Sequence, residues 1–395
     1  MHEELVVKKA WIGESEFLHA LSHCMILPGP EAQQLAIYIG WKLHGKKGGI
    51  TAGTFFVLPS MFVLLALSLV YIRFGRSPLV AAMISGLRPA VVALIVLALL
   101  RVAARTLVTP LQWAVTLSAF IAMLLFQASL PLIMLAVVLL GAFIGWLRPE
   151  LLAVAQKTED HREEPIGPTW KQMFTSLLRI AIAGFVLWLL PLLALYSLSP
   201  DFAFWKRLAL FFTQTAFVTV GGSYTVIPYV AHIAVTRYHW LNQSQMLDGF
   251  SLAETTPGPL IIVVAFVGFM AGFNHFHGSV LMGAIALAAT TFYTFLPCFL
   301  FVFAGAPLVQ KTHQSRSIES VLRLVTAVVV AAMLNLTLFL SRGTLFPAGN
   351  LSLKNLDLFA AIWLLLSFVL LRRFKIGMVG FVGLSLLWGL VIHRF

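Results

Sequence analysis

The sequence predicts an all-α polytopic membrane protein with about twelve transmembrane segments, arranged in two homologous halves of inverted topology. Three observations predict this fold. The chain is 60% hydrophobic and only 11% charged, whereas a soluble domain carries roughly 25% charged residues. Apolar runs of about 20 residues, long enough to cross hydrocarbon roughly 30 Å thick, recur along the chain. An unusual proline motif also occurs once in each half, within a longer stretch of matching residues.

The predicted elements follow one another with a single long polar interruption. Residues 1–147 form the first half, 148–173 a polar linker, 174–200 a linking transmembrane helix and 201–395 the second half. The apolar stretches are 16–42, 49–72, 88–105, 111–127, 129–147, 174–198, 208–231, 246–272, 278–305, 318–340, 356–371 and 375–392. Because proline suits the first turn of a helix, the stretch containing Pro89 is predicted to begin at Arg88, after an interfacial segment at 79–87.

The net charge of +12 is carried largely by Lys and Arg in short loops between the apolar stretches. We therefore interpret these residues as topology signals and not as a nucleic-acid-binding surface. Alternating the loops across the bilayer places more of them on the side that carries the linker. The positive-inside rule then predicts that the linker is cytoplasmic.

The stretch 246–272 contains a Pro-Gly-Pro motif, Pro257-Gly258-Pro259, inside an otherwise apolar run. Two prolines around a glycine break a helix, since each proline lacks an amide donor and clashes with the preceding turn. In hydrocarbon, a broken backbone persists only where protein buries it or where it lines a wet cavity. A helix that restarts after the break presents unpaired N–H groups, which suit an oxyanion.

The same motif occurs in the first half as Pro28-Gly29-Pro30, and the flanking residues match it at one constant offset. Trp11 pairs with Trp240, Ser22 with Ser251, Ala36 with Ala265 and Gly49 with Gly278; with small gaps, Pro59 pairs with Pro297 and Leu87-Arg88 with Leu322-Arg323. This register indicates an internal duplication. An odd number of predicted segments separates each point from its copy, so the repeats are predicted to be inverted, as in many secondary transporters.

These residues resemble the chromate ion transporter family. The matching pieces are Trp11 to Gly40 with Pro28-Gly29-Pro30-Glu31-Ala32-Gln33-Gln34, Gly53 to Pro59, Leu87-Arg88-Pro89, Phe217 to Tyr229 with Gly221-Gly222, and Trp240 to Gly268. The resemblance covers nearly the whole chain. It implies a long-chain member that exports chromate across the bacterial inner membrane and confers chromate resistance. The chain departs from the family pattern at its front, where a first Gly-Gly-Pro helix is expected upstream of Met1.

The candidate substrate-binding residues surround the two breaks: Pro28, Gly29, Pro30, Gln33, Gln34, Gly221, Gly222, Thr255, Thr256, Pro257, Gly258 and Pro259. Two interpretations of the Pro-Gly-Pro motifs stay open. Either they are kinks that help helices pack, or they aim helix N-termini at a dianion near the bilayer midplane. The amide and hydroxyl side chains are additional donors, and the Gly-Gly pair either allows close packing or offers amides.

Three charged residues complete the predicted site. Arg88 and Arg323, which the repeat relates, either reach the interface from helix ends or donate to oxyanion oxygens. Glu254 is interpreted as the one carboxylate within an apolar stretch; either it lies near water or it couples export to protons. No metal site and no cofactor are predicted, because His19 and His23 have helical spacing but no third ligand at suitable spacing.

The leading hypothesis is a secondary transporter that exports chromate by alternating access. The alternative is a carrier of sulfate or another tetrahedral oxyanion on the same scaffold. An intramembrane enzyme is a third hypothesis, for which no nucleophile–base pair occurs at useful spacing. The sequence leaves open the coupling ion, the oligomeric state, including a homodimer, and whether the Pro-Gly-Pro segments span the bilayer or re-enter.

Overall fold

A computed structural model describes residues 1–14, 16–17, 20–21, 24, 27–75, 77–147, 170–198, 201–219, 226–256, 258–312, 316–347, 352–374 and 376–392. Gly221, Gly222, Pro257, Ser22, His19, His23 and residues 148–169 of the predicted linker lie outside these ranges. Within the described ranges the chain is helical and contains no strand, so the all-α prediction is confirmed.

The α-helices are α1 (Glu31–Phe74), α2 (Pro78–Thr106), α3 (Pro110–Leu125), α4 (Leu130–Leu147), α5 (Trp170–Leu198), α6 (Phe202–Val218), α7 (Val226–His232), α8 (Gln243–Glu254), α9 (Val263–His275), α10 (Val280–Thr312), α11 (Arg316–Leu345), α12 (Leu358–Val369) and α13 (Met378–Ile392). Described residues between Glu14 and Cys24 are also helical. Short π-helical turns lie at Glu3–Lys8, Ile233–Arg237 and Leu370–Phe374, and 3-10 turns at Leu260–Ile262 and Leu353–Asn355.

Among the described residues, five helical stretches are long and apolar enough to cross a membrane: Glu31–Phe74, Pro78–Thr106, Phe174–Ser197, Val280–Gly305 and Arg323–Leu345. Shorter apolar helices lie at Pro110–Leu125, Leu130–Ile144, Val263–His275 and Gly380–Ile392. These lengths and compositions are those of an integral membrane protein. The total of about twelve segments stays a prediction.

Helix α1 is in fact two arms joined by a tight turn. His44 (φ −136°, ψ 21°) and Gly45 (φ 65°, ψ −160°) leave the helical conformation and separate a short arm, 31–43, from a long arm, 46–74. The arms pack closely, because a Cβ at Gly40 would lie 2.5 Å from the carbonyl oxygen of Gly48. The structure therefore confirms the turn that the sequence placed after residue 42.

Helix α2 begins ten residues earlier than predicted, so the interfacial segment at 79–87 was wrong. Ser77 caps the helix by accepting a hydrogen bond from the Val80 amide, and Pro78 takes the first-turn position. Pro89 instead lies inside the helix. The prediction failed because two prolines gave the same start signal, and only Pro78 follows a capping residue.

The chain divides into two compact units, each drawing on both sequence halves. Unit 1 comprises Met1–Val57, Pro131–Ser223 and Phe292–Thr326; unit 2 comprises Leu58–Leu130, Tyr224–Thr291 and Ala327–Phe395. In unit 1, α5 packs on α6, with Trp188 Nε1 donating to Thr213 Oγ1 at 2.8 Å. In unit 2, α2 packs on α8, α12 and α13, and the contact with α13 runs through small residues such as Gly86 and Gly389.

Candidate functional site

The Pro-Gly-Pro segment of unit 2 folds back on itself. Gly249 on α8 lies directly against the ring of Phe266 on α9. A continuous helix would separate these residues by about 25 Å, since each residue adds about 1.5 Å of rise. At the open end, Asn274 Nδ2 donates to the carbonyl oxygen of Trp240 at 2.8 Å. Residues 240–275 are therefore an antiparallel helical pair, here called the second hairpin, with the motif at its tip.

The Pro-Gly-Pro segment of unit 1 has the same form. Phe17, Ala20 and Cys24, before the motif, share one buried cluster with Leu35 and Ile39, which follow it. Lys42 and Glu16 form an ion pair near the open end of this pair of helices. Residues 14–43 are here called the first hairpin.

Both hairpins are built from short arms. The return arm of the second hairpin, α9, has 13 residues and is buried from Val263 to Gly272. Such a helix is about 20 Å long, shorter than a hydrocarbon layer of roughly 30 Å. Short buried arms of this kind are typical of a re-entrant segment, so re-entry stays a prediction for these hairpins.

Backbone and side-chain contacts hold the tip of the first hairpin. The Gly29 N–H donates to the carbonyl oxygen of Thr219 at 2.5 Å, and Gln34 Nε2 donates to the carbonyl oxygen of Pro28 at 2.6 Å. Gly29 has φ +131°, and an added Cβ would lie 2.9 Å from Cys298 Sγ. The Gly29 amide is thus already paired and is not among the free donors. The first-turn amides of α1, at Glu31 and Ala32, have no intrahelical acceptor.

Gln33 is the exceptional residue at this tip. Its side chain is fully buried, yet neither its Nε2 nor its Oε1 has a hydrogen-bond partner among the described residues, and the same holds for Gln34 Oε1. Leaving one buried polar group unpaired costs about 1–3 kcal/mol, so each such group calls for an explanation. Side-chain donors and acceptors here, beside a helix N-terminus, are available to a bound polar ligand.

The tip of the second hairpin carries different chemistry. The hydroxyls of Thr255 and Thr256 both donate to the carbonyl oxygen of Leu252, at 2.7 and 3.0 Å, and so close the end of α8. Gly258 has φ +146° and lies against the buried Ser60. Glu254 is half-buried at the end of α8, and no described residue pairs with it. Both tips therefore carry a carboxylate, Glu31 at the first and Glu254 at the second, but only the first adds the buried side-chain amides of Gln33 and Gln34.

A buried charge cluster midway along α8 was missed by the sequence analysis. Asp248 on α8 is 4% exposed and accepts from Arg88 Nε at 2.7 Å and Arg88 Nη2 at 3.0 Å. The hydroxyl of Tyr71 donates to Asp248 Oδ2 at 2.9 Å. Glu254 is therefore not the only carboxylate within the apolar stretch. The available signal was a carboxylate inside 246–272, whose burial requires a partner.

Arg88 lies inside α2 and not at a helix end, and its guanidinium forms a two-point ion pair with Asp248. A role of Arg88 toward an oxyanion stays a prediction. Arg323 lies in α11, in unit 1.

The predicted site residues divide between the units. Unit 1 holds Pro28, Gly29, Pro30, Gln33, Gln34 and Arg323, while unit 2 holds Arg88, Glu254, Thr255, Thr256, Gly258 and Pro259. Among the residues that the structure describes, no group of three or more His, Cys, Asp or Glu could hold a metal ion.

Comparison with known proteins gives consistent matches. A family model described as "Chromate transporter" matches residues 1–146 and 206–390. A chromate transport protein of Cupriavidus metallidurans is 27% identical over 377 residues, covering 95% of this chain and 82% of the relative. One of Pseudomonas aeruginosa is 30% identical over 369 residues, covering 91% and 80%. An uncharacterised transporter of Methanocaldococcus jannaschii is 25% identical, covering 99% and 88%. No solved structure matches this chain.

Proposed function

Because the chain belongs to the chromate transporter family, whose members are transporters and not enzymes, we propose that it exports chromate across the bacterial inner membrane and thereby confers chromate resistance. The transport is secondary, by alternating access, with the linker in the cytoplasm. Chromate is a tetrahedral dianion, so its site needs several hydrogen-bond donors to offset the loss of hydration.

The observation that carries this proposal is the orphaned amide of Gln33. Its Nε2 is a buried donor without a partner in the described part of the chain. It lies at the N-terminal end of a helix whose first two amides, at Glu31 and Ala32, also lack intrahelical acceptors. An oxyanion at this position accepts hydrogen bonds from the side-chain Nε2 of Gln33 and from the backbone amides of Glu31 and Ala32. It also lies at the positive end of the helix dipole. Neutral donors of this kind bind a dianion without burying a cation.

The inverted arrangement of the halves is part of the proposal, and the internal duplication supports it. The two halves carry the Pro-Gly-Pro motif at one constant offset, and an odd number of predicted segments separates each point from its copy, as inverted repeats require.

Glu254 is the proposed coupling residue. A half-buried carboxylate without a partner, at the tip of a re-entrant hairpin, can exchange protons as access alternates. The ionised Glu254 carboxylate repels a dianion, so its protonation favours the state in which chromate is bound.

Sulfate is the second candidate substrate. The donors around Gln33 recognise charge and tetrahedral shape, which sulfate shares with chromate, and none of them distinguishes the central atom. A sulfate flux that chromate does not inhibit would favour this alternative.

The test uses the purified chain in proteoliposomes, with chromate and sulfate flux measured under imposed ion gradients. Gln33→Met removes the donor while keeping a similar volume, and we expect chromate flux to fall about tenfold or more at subsaturating substrate, since a hydrogen bond to an ion contributes about 1.5–3 kcal/mol. Gln214→Met, on an exposed face of α6, is the matched control. Absence of chromate and sulfate flux under every gradient would overturn the proposal.

A further inference from the structure

Unit 2 contains a cavity whose lining residues do not include the Pro-Gly-Pro tip of the second hairpin. Its volume is about 420 Å³, and it lies where the C-terminal ends of α3 and α11 meet α7 and the first turn of α8. The first turn of α8 is at the base of the second hairpin. The cavity is therefore an opening beside the second hairpin and separate from its tip.

The polar side chains that line this cavity suit an anion. They are Gln127, His232, Gln243, Ser244, Asn335 and Arg342. The lining residues, all within the described part of the chain, include no Asp or Glu. Arg342 is exposed and supplies a guanidinium, whose forked N–H groups match the oxygens of a tetrahedral oxyanion.

The cavity is also held in shape independently of any ligand. Asn242 and Gln245 form a capping box that fixes the start of α8, and Gln243 Nε2 donates to the carbonyl oxygen of Phe339 on α11 at 3.2 Å. Gly343 packs against the same glutamine, since a Cβ there would lie 2.7 Å from Gln243 Nε2. These contacts fix the α8–α11 wall that carries Ser244 and Arg342.

We propose that this cavity is a second oxyanion site, which binds the transported anion at the mouth of the second hairpin through Arg342, with the side-chain amides of Gln127 and Asn335 as further donors. The inference rests on the proposed function for the identity of the anion. It adds an anion-binding site that is separate from the Pro-Gly-Pro motifs.

The test measures labelling of a cysteine placed in the cavity. Ser244→Cys is reacted with a charged maleimide in detergent, with sodium sulfate or with sodium chloride at equal ionic strength. Sulfate is the probe because chromate oxidises thiols. The native cysteines, Cys24 and Cys298, are buried, and the unsubstituted chain gives their background. Phe346→Cys is a second reporter, and Ser197→Cys, exposed on α5, is the control.

We expect sulfate to slow labelling at both cavity reporters and not at Ser197→Cys. Adding Arg342→Gln should raise the sulfate concentration for half-protection about tenfold or more, while Arg342→Lys should retain part of the protection. Equal labelling rates in sulfate and chloride would overturn the inference, whatever the flux assay shows. Protection by a short-chain phosphatidylglycerol but not by sulfate would assign the cavity to a lipid phosphate and would also overturn it. If sulfate slows labelling in a chain that transports neither chromate nor sulfate, the cavity is still an anion site but the proposed function is wrong.

Discussion

Gly258, at the tip of the second hairpin, lies directly against Ser60 on the long arm of α1. In the other unit, Gly29 lies against Cys298 on α10. The internal duplication relates Gly29 to Gly258, and it relates Ser60 to Cys298, since each follows the paired prolines Pro59 and Pro297. The two contacts are therefore the same contact with the sequence halves exchanged. Each sequence half therefore supplies the hairpin of one unit. To the other unit it supplies part of a long helix, which contacts the hairpin there.

Because each glycine contacts a helix from the other sequence half, even one added methyl group at this contact should lower the stability of the unit. Gly258→Ala places a Cβ on a residue with φ +146° and against Ser60, so we expect a loss of about 1–3 kcal/mol of stability and lower flux. Ser60→Gly in the same chain should recover the steric part and leave the backbone strain. Thermal unfolding in detergent measures both. Gly383→Ala, where an added Cβ meets nothing within 4 Å, is the control. Equal effects of the two alanines would contradict this account.

The ion pair between Arg88 and Asp248 gives a second prediction. Asp248→Asn leaves a guanidinium that is 27% exposed without its carboxylate, and breaking a buried pair in this way costs about 3–5 kcal/mol. The double variant Arg88→Met, Asp248→Leu should cost much less than the sum of its single changes, because no unpaired charge remains. Tyr71→Phe removes one hydrogen bond and should cost about 1 kcal/mol. Additive losses in the double-mutant cycle would show that the pair contributes little.

The sequence predicted the breaks and the duplication because Pro-Gly-Pro acts locally and matching residues can be read directly. It did not predict that the chain reverses at each break, since proline and glycine end a helix without fixing the direction of the next one. The pairing of Asp248 with Arg88 was missed for a related reason: the partners are far apart in sequence, and only the fold-back of α8 brings them together. Gln33 was a candidate by position, but its lack of a partner is visible only in three dimensions.

The two neighbouring glutamines should respond oppositely to substitution. Gln33→Met removes an unpaired buried amide, so the ligand-free protein should gain about 1–3 kcal/mol of stability while losing its stabilisation by chromate or sulfate. Gln34→Met removes the hydrogen bond to the Pro28 carbonyl and should destabilise the ligand-free protein. Unfolding temperatures with and without each oxyanion separate the two effects. A destabilised Gln33→Met protein that still responds to chromate would mean that Gln33 is a packing residue.

The carboxylate of Glu254 gives the last prediction, which concerns coupling. An ionised carboxylate at the second tip repels a dianion, so protonation should accompany loading, and a pH gradient should then drive net transport. Glu254→Gln cannot change its charge. It should keep chromate exchange at equal pH on both sides while abolishing the acceleration by a pH gradient. Glu14→Gln, whose side chain is 72% exposed, controls for the loss of a carboxylate as such. Gradient-driven flux that survives Glu254→Gln unchanged would place the coupling group elsewhere, with Glu31 in the first turn of α1 as the next carboxylate to substitute.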